Sequence, residues 1–308
     1  MISSKNAESI LTILRSGNFT NAAKNMYISQ PALSQAVRKI EENLGAPIFN
    51  RNTEPISLTE AGQLYLDAAR QITAINTRLI NSINQIISEN KGKLRLGISM
   101  QRGMQLLPLV IPDFVRQYPH VKIELLEHGS VALEKLLHDG MCDIALITTN
   151  PRYENLEYLL LKNEEIVLVA SQTTDLAGRF SEGDEISISE AAREKFVSLI
   201  AGHSVRVIQD QLLSSHHISP SILLETDSLE AAKRLTAAAD AVMLCPYIYI
   251  VHSPEVRQKV KCFRIKNIDC MRHFYLSYLK GAPLPRFMAD FIKIVKRKVD
   301  EDGDFDNW

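Results

Sequence analysis

Cysteine is scarce in this chain, and no two of its four cysteines lie at the CxxC spacing of a redox or zinc motif. Cys142, Cys245, Cys262 and Cys270 fall in or near strand-like apolar runs, so they read as buried thiols of a reducing cytoplasm. A redox pair between Cys262 and Cys270 is the alternative, open if their strands are neighbours. Long apolar runs are missing too. The longest, residues 241–251, is too short to span a bilayer and carries Pro246. Residues 1–10 are polar and pass directly into a helical pattern, so no secretory leader is expected. Neither sign of charge dominates: 35 Lys and Arg stand against 36 Asp and Glu, which excludes a globally basic nucleic-acid binder. Catalytic signatures are absent as well. There is no GxSxG, no P-loop, no HExxH and no paired Cys/His metal spacing. The run Gly202-His203-Ser204 suggests nucleophilic chemistry only with a carboxylate such as Asp227 beside it. No enzyme, no metal and no cofactor is therefore expected.

What is present is an ordinary globular balance, 45% apolar, in 308 residues, enough for about two domains. The most informative stretch is residues 19–62. At its centre, residues 29–44 read as a helix. Leu33, Val37, Ile40 and Leu44 recur at spacings of four, three and four and share one face. The opposite face carries Pro31, Ser34, Gln35, Arg38 and Glu42. Ser29 is placed as an N-cap, Pro31 is tolerated in the first turn, and Gly45 stands where a left-handed residue ends a helix. Short polar side chains near a helix start, followed by arginine, suit base edges and phosphates. Before this helix, Thr20 can cap a short helix over 21–26 in which Ala22 and Ala23 permit close approach. The connector Tyr27-Ile28 is as short as a helix-turn-helix requires. After it, residues 46–49 and the pair Ile56 and Leu58 predict a two-stranded wing whose tip carries Arg51.

In order and spacing this run resembles the winged helix-turn-helix of LysR-type transcriptional regulators. The matching residues are Phe19-Thr20, Ala22-Ala23, 29–34 (SQPALS), Ile40-Glu41-Glu42, Leu44-Gly45, Pro47-Ile48-Phe49, Arg51, Leu58-Thr59 and Ala61-Gly62. The resemblance implies promoter DNA as a partner, a small-molecule effector, a homodimer or homotetramer, and RNA polymerase as a further partner. Ser29, Gln30, Pro31, Ser34, Gln35 and Arg38 are the expected groove contacts, Thr20 a further expected DNA-binding residue, and Arg51 the expected phosphate anchor. Glu54-Pro55 in the wing departs from the more basic residues common in that family. Residues 1–58 hold six Lys or Arg (Lys5, Arg15, Lys24, Arg38, Lys39, Arg51) against four Glu (Glu8, Glu41, Glu42, Glu54). One head alone should thus bind DNA poorly, and doubling it would help.

Doubling has a sequence basis. From Thr59 to about residue 90, Leu64, Ala68, Ile72, Ile75, Leu79, Ile83 and Ile86 form one helical stripe about thirty residues long. A small head cannot bury so long a stripe, so a second copy is the expected cover. From residue 91 onward, short apolar strands alternate with amphipathic helices, which predicts a mostly parallel sheet. The expected architecture is α/β overall: an N-terminal all-α winged helix-turn-helix (1–58), a linker helix (59–90) and a two-lobed α/β domain (91–308). Lobe I would comprise 91–161 plus 268–300 and lobe II 162–267, in a layout resembling both the LysR effector-binding domain and periplasmic binding proteins.

In such sheets ligands lie beyond the carboxyl ends of strands, near helix N-termini. That rule selects Ser99, Met100, Gln101, Thr148, Thr149, Gly202, His203, Ser204, Thr226, Asp227 and Pro246. Arg102 and Arg206 are the nearest fixed cations, so a small polar or weakly anionic effector is expected. A two-lobed binding protein or an enzyme without DNA function is the competing reading.

Overall fold

Three short helices and a wing make the amino-terminal head: α1 (Ser4–Ser16), α2 (Phe19–Asn25), α3 (Gln30–Leu44), β1 (Phe49–Asn50) and β2 (Ser57–Leu58). The structure, a computed structural model, describes residues 4–50, 53, 55–87, 91–266, 271–281 and 284–301. Ile10, Ile13, Ala22, Ala23, Leu33, Val37 and Ile48 are buried together, with Phe19 set edge-on to Phe49 at 5.5 Å. The alanines of α2 do what their size suggests: both are buried where the helices converge.

Two details of the head differ from expectation. The cap of α2 is Asn18, not Thr20. The Asn18 Oδ1 accepts from Asn21 N at 2.8 Å, so the helix begins two residues earlier and Thr20 lies exposed in its first turn. Asn and Thr both cap, and the helix takes the earlier residue because that lets Phe19 pack on Phe49. Leu44, placed on the buried face of α3, is 41% exposed. The last turn overhangs the core, and there Glu41 Oε1 instead accepts from Ile48 N at 2.8 Å.

The long helix α4 (Glu60–Ile87) follows. Tyr65, Leu66 and Ala69 on one side complete the head core. Leu64, Ile75, Leu79, Ile80 and Ile83 are exposed on the remaining surface.

The rest is a chain of strands and helices. In order these are β3 (Lys91–Ile98), α5 (Met100–Gln117), β4 (His120–Glu127), α6 (Ser130–His138), β5 (Ile144–Thr148), β6 (Leu156–Ser171), α7 (Asp175–Arg179) and β7 (Glu185–Ile186). There follow β8 (Lys195–Leu199), α8 (Ser204–Ser215), β9 (Ser221–Thr226), α9 (Leu229–Ala238), β10 (Val242–Pro246), α10 (Tyr247–Val251), α11 (Pro254–Arg257) and β11 (Val260–Ile265). The strand β12 (Met271–Leu279) and α12 (Arg286–Glu301) complete it. The strand order is β4-β3-β5-β12-β6-β10-β8-β9, with β11 on the other side of β6.

The strand β6 is what makes two lobes out of one ladder. It runs without a break through the expected lobe boundary at 161–162. Its first half pairs antiparallel with β12, down to Glu164 opposite Arg272 and Glu165 opposite Met271. From Ile166 onward it pairs with β10 instead, and from Leu168 with β11. One lobe buries Leu94, Leu96, Val110, Phe114, Phe274 and Phe291; the other buries Val167, Val169, Phe196, Leu244 and Phe263. The first crossing between the lobes lies at this handover; the expected second one, near 265–267, leads into residues 267–270, which are outside the described residues.

Candidate functional site

At the front of the head, α3 presents the surface its sequence pattern predicts. Ser29 Oγ accepts from Ala32 N at 3.4 Å, Pro31 occupies the first turn, and Gly45 closes the helix at φ 72°. Gln30, Pro31, Gln35 and Arg38 are exposed, Ser29 too, and Ser34 is half-buried. Arg38 Nε donates to Glu42 Oε1 at 3.0 Å, one turn on, with both side chains mostly in solvent. Such a pair is weak and leaves the guanidinium free to swing to another anion. The turn before α3 holds a residue the sequence treated only as a connector: Tyr27 is 97% exposed at φ 55°. A left-handed tyrosine projects its ring away from the head, beside the start of α3. Arg51 lies outside the described residues.

Between the two lobes lies a cavity of about 950 Å³, the size of a small-ligand site. Its walls are strand ends and helix starts. Nine of the eleven residues chosen from the sequence line it: Ser99, Met100, Gln101, Thr148, Thr149, Gly202, His203, Ser204 and Asp227. Thr226 and Pro246 do not. The Thr226 hydroxyl is turned inward to accept from Ser228 N at 3.1 Å. Pro246 is still in the sheet, opposite Ile166, and the first residue after it to reach the cavity is Tyr249. Arg206, expected near the ligand, is spent elsewhere. It bonds Asp210 at 2.7 Å, Glu225 at 2.5 Å and the Leu199 carbonyl at 2.8 Å, and it does not line the cavity.

The helix starts around the cavity fall into two kinds. On lobe II, Ser228 Oγ accepts from Ala231 N at 3.2 Å, capping α9, and His203 Nδ1 accepts from Val205 N at 3.3 Å, capping α8. On lobe I, neither Ser99 before α5 nor Gly129 before α6 supplies a side-chain cap. Ser130 instead ties α6 to the end of β5, its Oγ accepting from Thr148 N at 3.0 Å.

The cavity floor holds an ionic cluster that no sequence motif announced. Glu164 of β6 is shared by Arg102 of α5, through Oε1, and by Arg272 of β12, whose Nε donates to Oε2 at 2.7 Å. The Arg102 guanidinium lies 4.0 Å from the centre of the Phe274 ring and 5.1 Å from that of Tyr249. Burial pushes the Glu164 carboxyl up, but the two guanidiniums outweigh it and hold it below the usual carboxylate range. His203 is pushed the other way: burial, with the nearby Arg272 charge, lowers its pKa to about 4.

His203 therefore caps α8 as a neutral ring, and protonation would remove the lone pair that accepts from Val205. The folded pKa lies below the unfolded value, so the unfolded chain binds the extra proton first. Stability is expected to fall as pH drops from about 6.5 toward about 4, by up to about 3 kcal/mol. His203→Asn keeps a cap acceptor without a titration, and should flatten that limb in urea midpoints taken across this range. Identical slopes for the two proteins would refute the assignment.

The cysteines are sealed off. Burial raises the thiols of Cys142 and Cys245 to about 12 and that of Cys262 higher still. Cys270, the partner considered for Cys262, lies outside the described residues. No helix among the described residues is long and apolar enough to cross a membrane, and no group of three or more His, Cys, Asp or Glu is placed to hold a metal.

Known proteins share both halves of this arrangement. Residues 5–63 match the bacterial regulatory helix-turn-helix proteins of the lysR family, and residues 88–300 match the LysR substrate binding domain. An uncharacterized HTH-type transcriptional regulator of Bacillus subtilis (strain 168), YybE, is 26% identical over 288 residues, 94% of each chain. A probable RuBisCO transcriptional regulator of Emiliania huxleyi is 31% identical over 230 residues, covering 73% of this chain and 72% of its own. Among solved structures, CbnR, a LysR family transcriptional regulator, superposes with a TM-score of 0.66 at 20% identity, covering 96% of this chain and 99% of its own. CbnR has also been solved in complex with its target DNA, where the TM-score is 0.64. These relatives are regulators rather than enzymes, and with the DNA-reading head and the two-lobed domain both matched, the chain belongs to the LysR family of DNA-binding transcriptional regulators.

Proposed function

We propose that this regulator reads its operator with α3 and is switched by a small polar or weakly anionic effector held between the lobes. The observation that carries the second half is the 950 Å³ cavity, walled by helix starts from both lobes. A ligand touching both lobes binds better to one relative arrangement of them, and that differential affinity is what shifts a regulator between states. Ser99, Met100, Gln101, Thr148, Thr149, Gly202, His203, Ser204 and Asp227 are the proposed effector contacts, with Arg102, Tyr249 and Arg272 beneath them.

For DNA, Gln30, Ser34, Gln35 and Arg38 are the proposed base contacts, with Thr20, Ser29, Pro31, Tyr27 and Arg51 toward the backbone. Gln suits adenine and Arg suits guanine in the major groove. Arg38→Ala is expected to lose about 10–100-fold in affinity for an operator selected from random DNA, with a much smaller loss on unrelated DNA. Gel shifts on both DNAs decide it. If discrimination between them is unchanged, the reading face is not the one assigned.

Two heads come together along α4. Its exposed Leu64, Ile75, Leu79, Ile80 and Ile83 form an apolar surface that water disfavours and a second copy would cover. Leu79→Glu should convert the protein to monomer in sedimentation velocity at micromolar concentration, and persistence of the parent species would remove α4 as the contact. The assembled protein would act in the cytoplasm, at promoters, on RNA polymerase.

A further inference from the structure

We propose that Arg70 and Asp139 form a pin that fixes the angle of the long helix α4, and with it the DNA-reading head, against lobe I. Opening the pin lets the head and the two-lobed domain turn relative to each other.

The geometry is that of a lever. Head and two-lobed domain are joined covalently at one place, residues 88–90, just past the end of α4. One joint does not set an angle, whereas a second contact far from it does. Arg70 Nη1 of α4 lies 4.0 Å from Asp139 Oδ2, at the end of α6. By the rise of a helix, Arg70 stands about 25 Å from the end of α4 at Ile87.

Both sides of the pin are firmly mounted. On the head side, Arg70 follows Ala69 directly and Leu66 by about one turn, and both are buried in the head core. Its Nη1 also donates to Asp67 Oδ1 at 3.2 Å, and Gln63 Nε2 donates to both oxygens of Asp67 at 2.9 Å. The guanidinium therefore moves with the head. On the other side, α6 is anchored by the buried Leu133 and Leu137, and Ser130 ties its start to β5.

Asp139 is the wrong residue to serve α6 alone. It is the C-cap and only 7% exposed, so its carboxylate sits at the negative end of the helix with little water around it. Lys135 Nζ, 3.1 Å away, offsets part of that repulsion, but the lysine is itself 55% exposed. A cation from α4 completes the neutralisation. The pin is also weak enough to open without unfolding either part, being a single contact at 4.0 Å to an arginine that water still reaches. The start of the same α6 lines the cleft through Ser130 and Val131, so a shift of α6 at that end would be felt at the pin.

Exchanging the charges tests the pin on the full chain. Arg70→Glu, Asp139→Arg and the double variant carrying both are compared with the parent by small-angle X-ray scattering behind a sizing column, on the peak with the parent's mass. Each single variant is expected to raise the radius of gyration by about 2 Å or more, because domains not held by a contact turn freely. The double variant, in which the ion pair is rebuilt with its signs reversed, should return to the parent's value. An Asp139 that merely stabilised α6 would give no such rescue. Singles within about 0.5 Å of the parent overturn the pin. So do expanded singles with no recovery in the double variant, or the loss of the parent's mass in every variant, which would place the contact in assembly instead. No ligand enters the experiment, so the effector reading of the cleft stands or falls separately.

Discussion

Replacing Glu164 by alanine is expected to cost the two-lobed domain about 3–5 kcal/mol, because it strands two buried guanidiniums together with no carboxylate between them. The side chain is almost wholly inaccessible, and both oxygens are used, one by each arginine. For a domain of this size that loss corresponds to a midpoint lower by roughly 6–20 °C. Glu164→Gln keeps the volume and one acceptor and should fall between the parent and the alanine variant. The carboxyl is held below its unfolded range, so its contribution is present above about pH 4.5 and fades as pH falls through the folded value. His203 acts in the window just above, from about 6.5 down to about 4, so the two acid limbs can be separated by variant. Urea titrations at neutral pH measure the main effect. A Glu164→Ala protein within about 1 kcal/mol of the parent would mean that water already screens the pair.

That cluster also marks the limit of what the sequence reveals. The head was legible because its signals are local. Leu33, Val37 and Ile40 repeat on one helix face, Ser29 and Gly45 punctuate it, and each rule spans four residues or fewer. Even there the choice between Asn18 and Thr20 as cap was decided by Phe19 meeting Phe49, thirty residues away. The cleft was legible by topology, since strand ends and helix starts follow from the alternation of elements. Its chemistry was not. Glu164 and Arg272 are 108 residues apart, and they face each other only through the register of β6 against β12. The polar run Lys162-Asn163-Glu164-Glu165 interrupts the apolar pattern of β6, which is why the sequence suggests a lobe boundary inside what is a continuous sixteen-residue strand. Those polar residues sit where the strand changes partners, which is where a hinge can carry charge that a sheet interior cannot. Arg206 misled for the complementary reason. It stands at the start of a helix facing the cleft, but Asp210 and Glu225 had already engaged it.

Gly62→Ala is expected to have the opposite sign from an ordinary helix substitution. Glycine in a helix interior is usually worse than alanine by about 1 kcal/mol, so the change would normally stabilise. Here a Cβ built on Gly62 falls 2.1 Å from the Ile48 carbonyl oxygen and 2.9 Å from its carbon. Both are backbone atoms, and no rotamer change relieves the overlap. Nor is that carbonyl free to retreat. It accepts from Thr59 N at 2.9 Å, while the Thr59 hydroxyl donates to Pro47 O at 2.6 Å and accepts from Gly62 N at 2.9 Å. Ile48 N is in turn held by Glu41 of α3. The first turn of α4, the entry to the wing and the last turns of α3 are thus one unit, and the added methyl must push them apart. The head should lose about 3 kcal/mol or more, the upper range for overpacking. Operator binding should weaken by at least about 100-fold, because α3 and the wing can no longer hold one geometry together. Gel shifts read the binding, and hydrogen exchange of α3 amides reads the loosening, with the amides of β6 and β10 serving as an internal control. Binding within about twofold of the parent would show that α4 can lift off the wing at little cost. The head and the long helix would then move independently.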